Sequence, residues 1–366
     1  MPAKENKGNE PMTIRNQAQK SGNLGRICSI LVMLGLIAFC ETRARAQKRP
    51  APPRTSPLVL VGIMSLPHVE GRLDHMDYDS EGGRLFVSAL GSDREEVIDL
   101  SKERVVQTLS VPQPQGVAFV PGLNKIFVGS DEGKLYIFDG ATYKLITTIN
   151  LGDDADDLRY DAAAKQVYVG YGDGDAGAIG VVDAATNKLV RSYKVGDHPE
   201  SFQLENSGPE MYVNVPGRKE ILAINRKTGK VVRWPMTLGG NFPMALDEAD
   251  HRLFVVAHRP DARLAVFNTN TGHMVAALPC VVNSDDLYYD DAFKRVYATG
   301  GEGFISVFQQ DSPDRYRLLA KVPSDVGART SDYPGRIGMK AFNRFYVAVP
   351  EGVQHGAQIW MYSVQK

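Results

Sequence analysis

Residues 116–152 read GVAFVPGLNKIFVGSDEGKLYIFDGATYKLITTINLG. Four short runs rich in β-branched and aromatic residues are separated by Gly, Asn and Asp at turn positions, the pattern of consecutive antiparallel strands joined by tight hairpins. The third run and its turn, KLYIFDGATYK, return as AIGVVDAATNK, EILAINRKTGK and LAVFNTNTGH. Asp139, Asp183, Asn225 and Asn268 are therefore expected to cap the turn into a fourth strand.

The second run is the most repetitive: GRLFVSAL, NKIFVGSD, KQVYVGYG, EMYVNVPG, HRLFVVAH, KRVYATGG and NRFYVAVP. Its central aromatic falls at Phe86, Phe127, Tyr168, Tyr212, Phe254, Tyr297 and Tyr346, in steps of 41 to 49 residues. That period belongs to propeller blades. The seventh unit runs out of chain after three strands, at AQIWMYSVQK, whereas LVLVGIMSLP (58–67) looks like a final strand with no unit before it. Pairing the two closes a ring and removes two open sheet edges. The expected fold class is all-β: a seven-bladed β-propeller of four-stranded antiparallel blades over 58–366, closed by the N-terminal strand. No helical period of useful length interrupts it.

What precedes residue 58 has another character. Lys4, Lys7, Arg15, Lys20 and Arg26 stand before the apolar run ICSILVMLGLIAFC (27–40), and Ala44-Arg45-Ala46 follows with small residues where a signal peptidase reads. Residues 1–46 are expected to be a signal peptide cleaved before Gln47, with translation starting at Met1 or Met12, and the mature chain to be periplasmic or secreted. The apolar run is shorter than the roughly 18 to 20 residues a membrane span needs, so no span is expected in the mature chain. Residues 47–57, QKRPAPPRTSP, read as a Pro-rich linker. Without the leader, 35 basic and 40 acidic residues remain, which leaves no basic footprint for nucleic acid. Of the three cysteines only Cys280 survives cleavage, so no internal disulfide can form and packing must hold the fold.

The repeats FVGSD, YVGYG and YVNVP at the second strand, with VVDAATNK at the third-strand turn, resemble those of the bacterial YVTN-repeat, YncE-like propellers. The resemblance spans 58–366. It implies the fold and an exported location but no catalytic residues, because function on such a scaffold lives in the site and not in the fold.

In a propeller the segments leading into the first strands converge on one rim of the channel. Here they read RLDH, QPQG, DADD, HPES, GNFP, NSDD and GART, polar and unlike one another. The candidate ligand-binding residues are Asp74, His75, Gln115, Asp156, Asp157, His198, Glu200, Asn241, Asp285, Asp286 and Arg329. Carboxylates brought together shift one another's pKa or hold a cation, and a histidine among them titrates near neutrality. The competing structural reading has each aspartate accepting backbone N–H groups or pairing with Arg72, Arg159 or Arg329. A different position, Asp79, Asp161, Asp247 and Asp290 with Glu205, recurs at the turn into strand two and is expected to be architectural.

The sequence contains no CxxCH, HExxH, complete EF-hand loop or G-x-S-x-G elbow. The leading expectation is a non-catalytic, monomeric binding propeller that takes a small molecule or a partner protein segment at the channel mouth. One alternative is a lactonase-type hydrolase or isomerase, with rim carboxylate and His groups acting with or without a divalent metal. A redox propeller with a bound cofactor is the other, and the presence of only two tryptophans argues against the quinone-dependent kind.

Overall fold

The computed structural model describes residues 56–334 and 343–366. The expected leader over 1–46 and the linker up to residue 55 lie outside the described residues. Seven four-stranded antiparallel sheets form the ring, six with their strands in chain order from the channel outward and the seventh ending in the N-terminal strand. The innermost strands are Met76–Asp79, Pro114–Val120, Ala155–Asp161, Ser201–Leu204, Gly239–Asp247, Leu287–Asp290 and Ser331–Asp332, for blades one to seven. Beyond these strands, regular structure among the described residues is limited to four 3₁₀ turns of three residues each.

The ring closes as the repeat arithmetic requires. Leu58–Ser65 is the outermost strand of blade seven and runs antiparallel to Gln358–Val364, with Leu58 opposite Val364 and Ser65 opposite Gln358. The 49-residue step between the last two repeats is taken up in part by a long outer hairpin of blade six, Glu302–Ser312 and Arg315–Val326.

Inner strands are covered on both faces and outer strands on one, so their sequences differ in kind. In blade two, Lys125–Ser130 (KIFVGS) is buried along nearly its whole length, whereas the outermost strand Leu145–Asn150 alternates with solvent. The repeated aromatics are all at most 4% exposed, and each contributes about 2 to 3 kcal/mol by leaving water. They belong to seven apolar clusters, each drawing residues from two neighbouring blades. Stability is thus distributed around the ring in like interfaces.

The repeated turn residues act as caps. Asp139 Oδ1 accepts the Thr142 amide at 2.7 Å, Asp183 the Thr186 amide at 2.7 Å and Asn225 the Thr228 amide at 2.9 Å, while Asn268 takes the Asn270 amide. At the turn into strand two, Asp79 accepts from Gly82, Asp161 from Ala164, Asp247 from Asp250, and Asp290 from Ala292 and Phe293. Glu205 does the same for Glu210. Asp161, the last residue of GDDADDLRYD, is therefore architectural, and it also receives Arg226 Nη1 at 2.7 Å.

Candidate functional site

The residues leading into the first strands are tied to one another across blade boundaries, which fixes their side chains at the channel mouth. The His75 amide donates to the Gln115 carbonyl at 3.1 Å, linking blade one to blade two, and the Asp285 amide donates to the Arg329 carbonyl at 3.2 Å, linking six to seven. Between blades two and three the contact is closer still. A Cβ on Gly116 would lie 1.9 Å from the Asp156 carbonyl oxygen, so blade two carries glycine where blades one, three and six carry His75, Asp157 and Asp286.

His75 stands at the centre of the cluster. Its Nδ1 is 3.1 Å from Asp286 Oδ1 and its Nε2 is 3.6 Å from Asp156 Oδ1, so one imidazole from blade one spans carboxylates from blades three and six. His198 forms a second centre, with Nδ1 3.3 Å from Asp154 Oδ2 and Nε2 3.9 Å from Asp156 and 3.8 Å from Glu200. Two guanidinium groups flank the other side: Arg72 Nη2 is 3.0 Å from Asp74 and 3.9 Å from Asp285, and Arg329 Nε is 2.6 Å from Asp285. Below them Arg159 pairs with Asp157, which also accepts the Ser201 hydroxyl at 3.1 Å.

The cluster therefore unites Asp74, His75, Asp156, Asp157, His198, Glu200, Asp285, Asp286 and Arg329, and its aspartates make the amide and arginine contacts of the structural reading. Asp286 Oδ2 accepts the Ser331 amide at 2.8 Å, a structural bond, while its Oδ1 faces His75. Gln115 joins through its amide, which donates to Asp154. Asn241 does not join: it is fully buried and donates to Asn214 Oδ1 at 3.0 Å and to the Glu220 carbonyl at 3.1 Å. Asn241 holds the position of Pro114 and Ala155 in blades two and three, where the same bulge occurs, and its amide turns into the blade four interface, while Phe242 holds the mouth position of Gln115 and Asp156.

Burial and charge set the protonation states. Burial disfavours the His75 cation, but Asp286, Asp74 and Asp156 outweigh it and raise its pKa well above the ordinary value. For His198 the same contest, against Asp156 and Asp154, ends at about 9. Both imidazoles are cationic at neutral pH. Burial raises Glu200 to about 8, with Asp156 adding to the shift, and raises Asp74 to about 7 against the pull of His75 and Arg72. Asp156 moves the other way: burial is outweighed by His198 and His75, and its pKa is lowered.

Deeper in the channel, Asp332 is raised well above the ordinary carboxylate value by burial and by Asp77 and Asp286, while Asp77 is raised to about 6 by burial. Arg159 opposes both shifts. These two acids escaped sequence reasoning because neither shares a repeat position with the rim aspartates. Asp77 and Asp332 share a repeat position of their own, opposite the repeated aromatics Phe86 and Tyr346, and Asp77 alternates with His75 along one strand face.

Among the described residues no group of three or more His, Cys, Asp or Glu side chains is arranged to hold a metal ion. The acidic groups are instead satisfied by imidazolium and guanidinium. Four buried atoms of the cluster, Asp74 Oδ2, Asp156 Oδ1, His198 Nδ1 and Asp285 Oδ2, lack a hydrogen bond from the protein and face only ion-pair partners. The nearest such partner is most distant for Asp156 Oδ1, with His75 Nε2 at 3.6 Å. A cavity of about 520 Å³ lined by Tyr212, Trp234 and Thr269 opens between blades four and five, and none of the cluster residues lines it.

No protein-family profile matches the chain, and no curated protein matches it in sequence. Among solved structures, a chain from a crystal structure of the mitotic checkpoint complex is similar in fold, with a TM-score of 0.70 over 91% of this chain and 99% of that one. The two share 14% sequence identity, so the likeness is one of fold alone. No helix among the described residues is long and apolar enough to cross a membrane.

Proposed function

We propose that the chain is an exported propeller of the YVTN-repeat, YncE-like kind that binds, without catalysis, a small cationic or polyhydroxylated ligand, or a partner segment bearing such groups, at its channel mouth. The carrying observation is Asp156 Oδ1, a buried acceptor without a hydrogen bond whose nearest cation, His75 Nε2, stands 3.6 Å away, within a cluster drawn from blades one, three, four and six. A buried acceptor left unmade costs about 1 to 3 kcal/mol, and a ligand ammonium or hydroxyl at Asp156 recovers it. Low-dielectric walls strengthen that attraction.

Calorimetric titration of the full chain with putrescine and xylitol tests the assignment, with the Asp156→Asn, Glu200→Gln double variant as control. Saturable binding of at least one probe that falls about tenfold or more in the double variant is expected, as for loss of a charge-assisted hydrogen bond. Binding of neither probe, or equal binding by the double variant, would sink it. Export has its own test: N-terminal sequencing of protein recovered outside the cytoplasm should begin at Gln47, and an intact leader would contradict it.

A further inference from the structure

The mouth is not acidic all the way round. Where blades one, two, three, four and six carry Asp74, Gln115, Asp156, Glu200 and Asp285, blade five carries Phe242. Its ring is partly exposed and meets His258 edge-on, with centroids 5.0 Å apart at 63°. Its carbonyl accepts Asn214 Nδ2 at 2.7 Å, which fixes the backbone there. The Ser284 carbonyl, 3.2 Å from His258 Nε2, can only accept, so Nε2 carries the proton, and burial lowers this imidazole's pKa. His258 is thus a neutral wall beside Phe242.

Beside the two rings lies a cavity of about 490 Å³, lined also by Pro216 and by the exposed Val282. Two of its lining residues touch the segments that carry the cluster. Gly217 lines one wall, and a Cβ there would lie 2.2 Å from Asp197 Oδ2, in the segment that carries His198. Asn283 lines the other wall and accepts Arg329, the ion-pair partner of Asp285. An apolar notch therefore opens beside the cluster, with Asp197 at one edge and the Arg329–Asp285 ion pair at the other.

We propose that the mouth selects an amphipathic cation: an ammonium held by Asp156 and Glu200, joined through a short chain to an aryl or branched apolar group seated against Phe242 and Val282. This rests on the channel-mouth binding proposed above and narrows its ligand to one class. Arg259, exposed on the notch lining, disfavours the reverse orientation with the ammonium in the notch.

Titration of the full chain at pH 8 with 2-phenylethylamine, ethylamine and benzyl alcohol separates the two contributions. Phenylethylammonium should bind at least about tenfold tighter than ethylammonium, from burial of the phenyl group, and benzyl alcohol should bind weakest. Phe242→Ala should bring the two amines close to parity, while Phe242→Leu, which keeps apolar volume, should retain most of the preference and report an intact fold. Parity of the amines in the unaltered protein, a preference indifferent to Phe242→Ala, or no binding of phenylethylammonium overturns the amphipathic class. If parity is found but ethylammonium binding falls in the Asp156→Asn, Glu200→Gln variant, the acidic mouth stands and the notch does not. If phenylethylammonium binds through Phe242 but ignores that variant, the acidic mouth fails and the proposed class falls with it.

Discussion

His75 Nδ1 in blade one lies 3.1 Å from Asp286 Oδ1 in blade six, two blades away around the ring. The contact joins first strands that share no sheet, and Asp286 Oδ2 simultaneously accepts the Ser331 amide of blade seven. Asp286→Ala leaves a buried imidazolium without its nearest carboxylate and a buried N–H without an acceptor. A destabilisation of about 3 kcal/mol is expected in urea unfolding, with a smaller loss for Asp286→Asn. A loss below about 0.5 kcal/mol, typical of surface changes, would show that the contact carries no structural weight.

The protonation states give stability a definite slope with pH. His75 and His198 have folded pKa values above the unfolded value of about 6.5, so their contribution is complete below that pH and is lost as pH rises, through about 9 for His198. Glu200 and Asp74 are buried acids raised to about 8 and about 7, so they stay protonated in the fold while the unfolded chain ionises, and stability is lost as pH rises from about 4 to those values, overlapping the lower part of the histidine window. Both effects have one sign. The urea midpoint should fall between pH 6.5 and 9.5, and His198→Gln should flatten the upper part; a midpoint that rises over this range would contradict the assigned shifts.

Cation binding should run oppositely. An ammonium at the mouth favours ionised Glu200, so affinity for putrescine should increase from pH 6.5 to 8.5 with release of a proton. Calorimetry in two buffers of different ionisation enthalpy reads that release directly. Affinity that is flat or falls with pH would exclude Glu200 from the site.

Gly116→Ala tests the close approach between blades two and three. A Cβ 1.9 Å from the Asp156 carbonyl forces the two strands apart, at a cost of about 1 to 3 kcal/mol. Gly122→Ala in the same blade, where the added Cβ meets nothing within 4 Å, should be nearly neutral. Equal effects of the two would argue against the approach.

Cys280 is half-buried, and burial pushes its thiol up to about 12. At pH 8 the native protein should show almost no carbamidomethyl label on the Cys280 peptide after iodoacetamide, with full labelling in denaturant. Rapid native labelling read by mass spectrometry would mean an exposed, activated thiol.

Much of this protein is written in its one-dimensional pattern. The repeat of FVGSD-like runs specified blade number, strand order and closure by Leu58–Ser65, because each blade needs two neighbours to bury its faces and the chain holds strands for seven. The turn caps were equally legible, since Asp139 and Asp161 bond to amides only three residues ahead. The site was legible only as a set of positions. Sequence places Asp156, Asp157, Asp285 and Asp286 on one rim, with Phe242 at the position equivalent to Asp156, but not the bonds to Asn214 and to the Glu220 carbonyl that hold Asn241 in the blade four interface. Nor does local pattern predict that His75 meets Asp156 and Asp286, because those contacts cross the channel between strands that share no hydrogen bond. Local periodicity fixes what repeats; the tertiary ring fixes which unlike residues meet at its axis, and with them the protonation states on which binding depends.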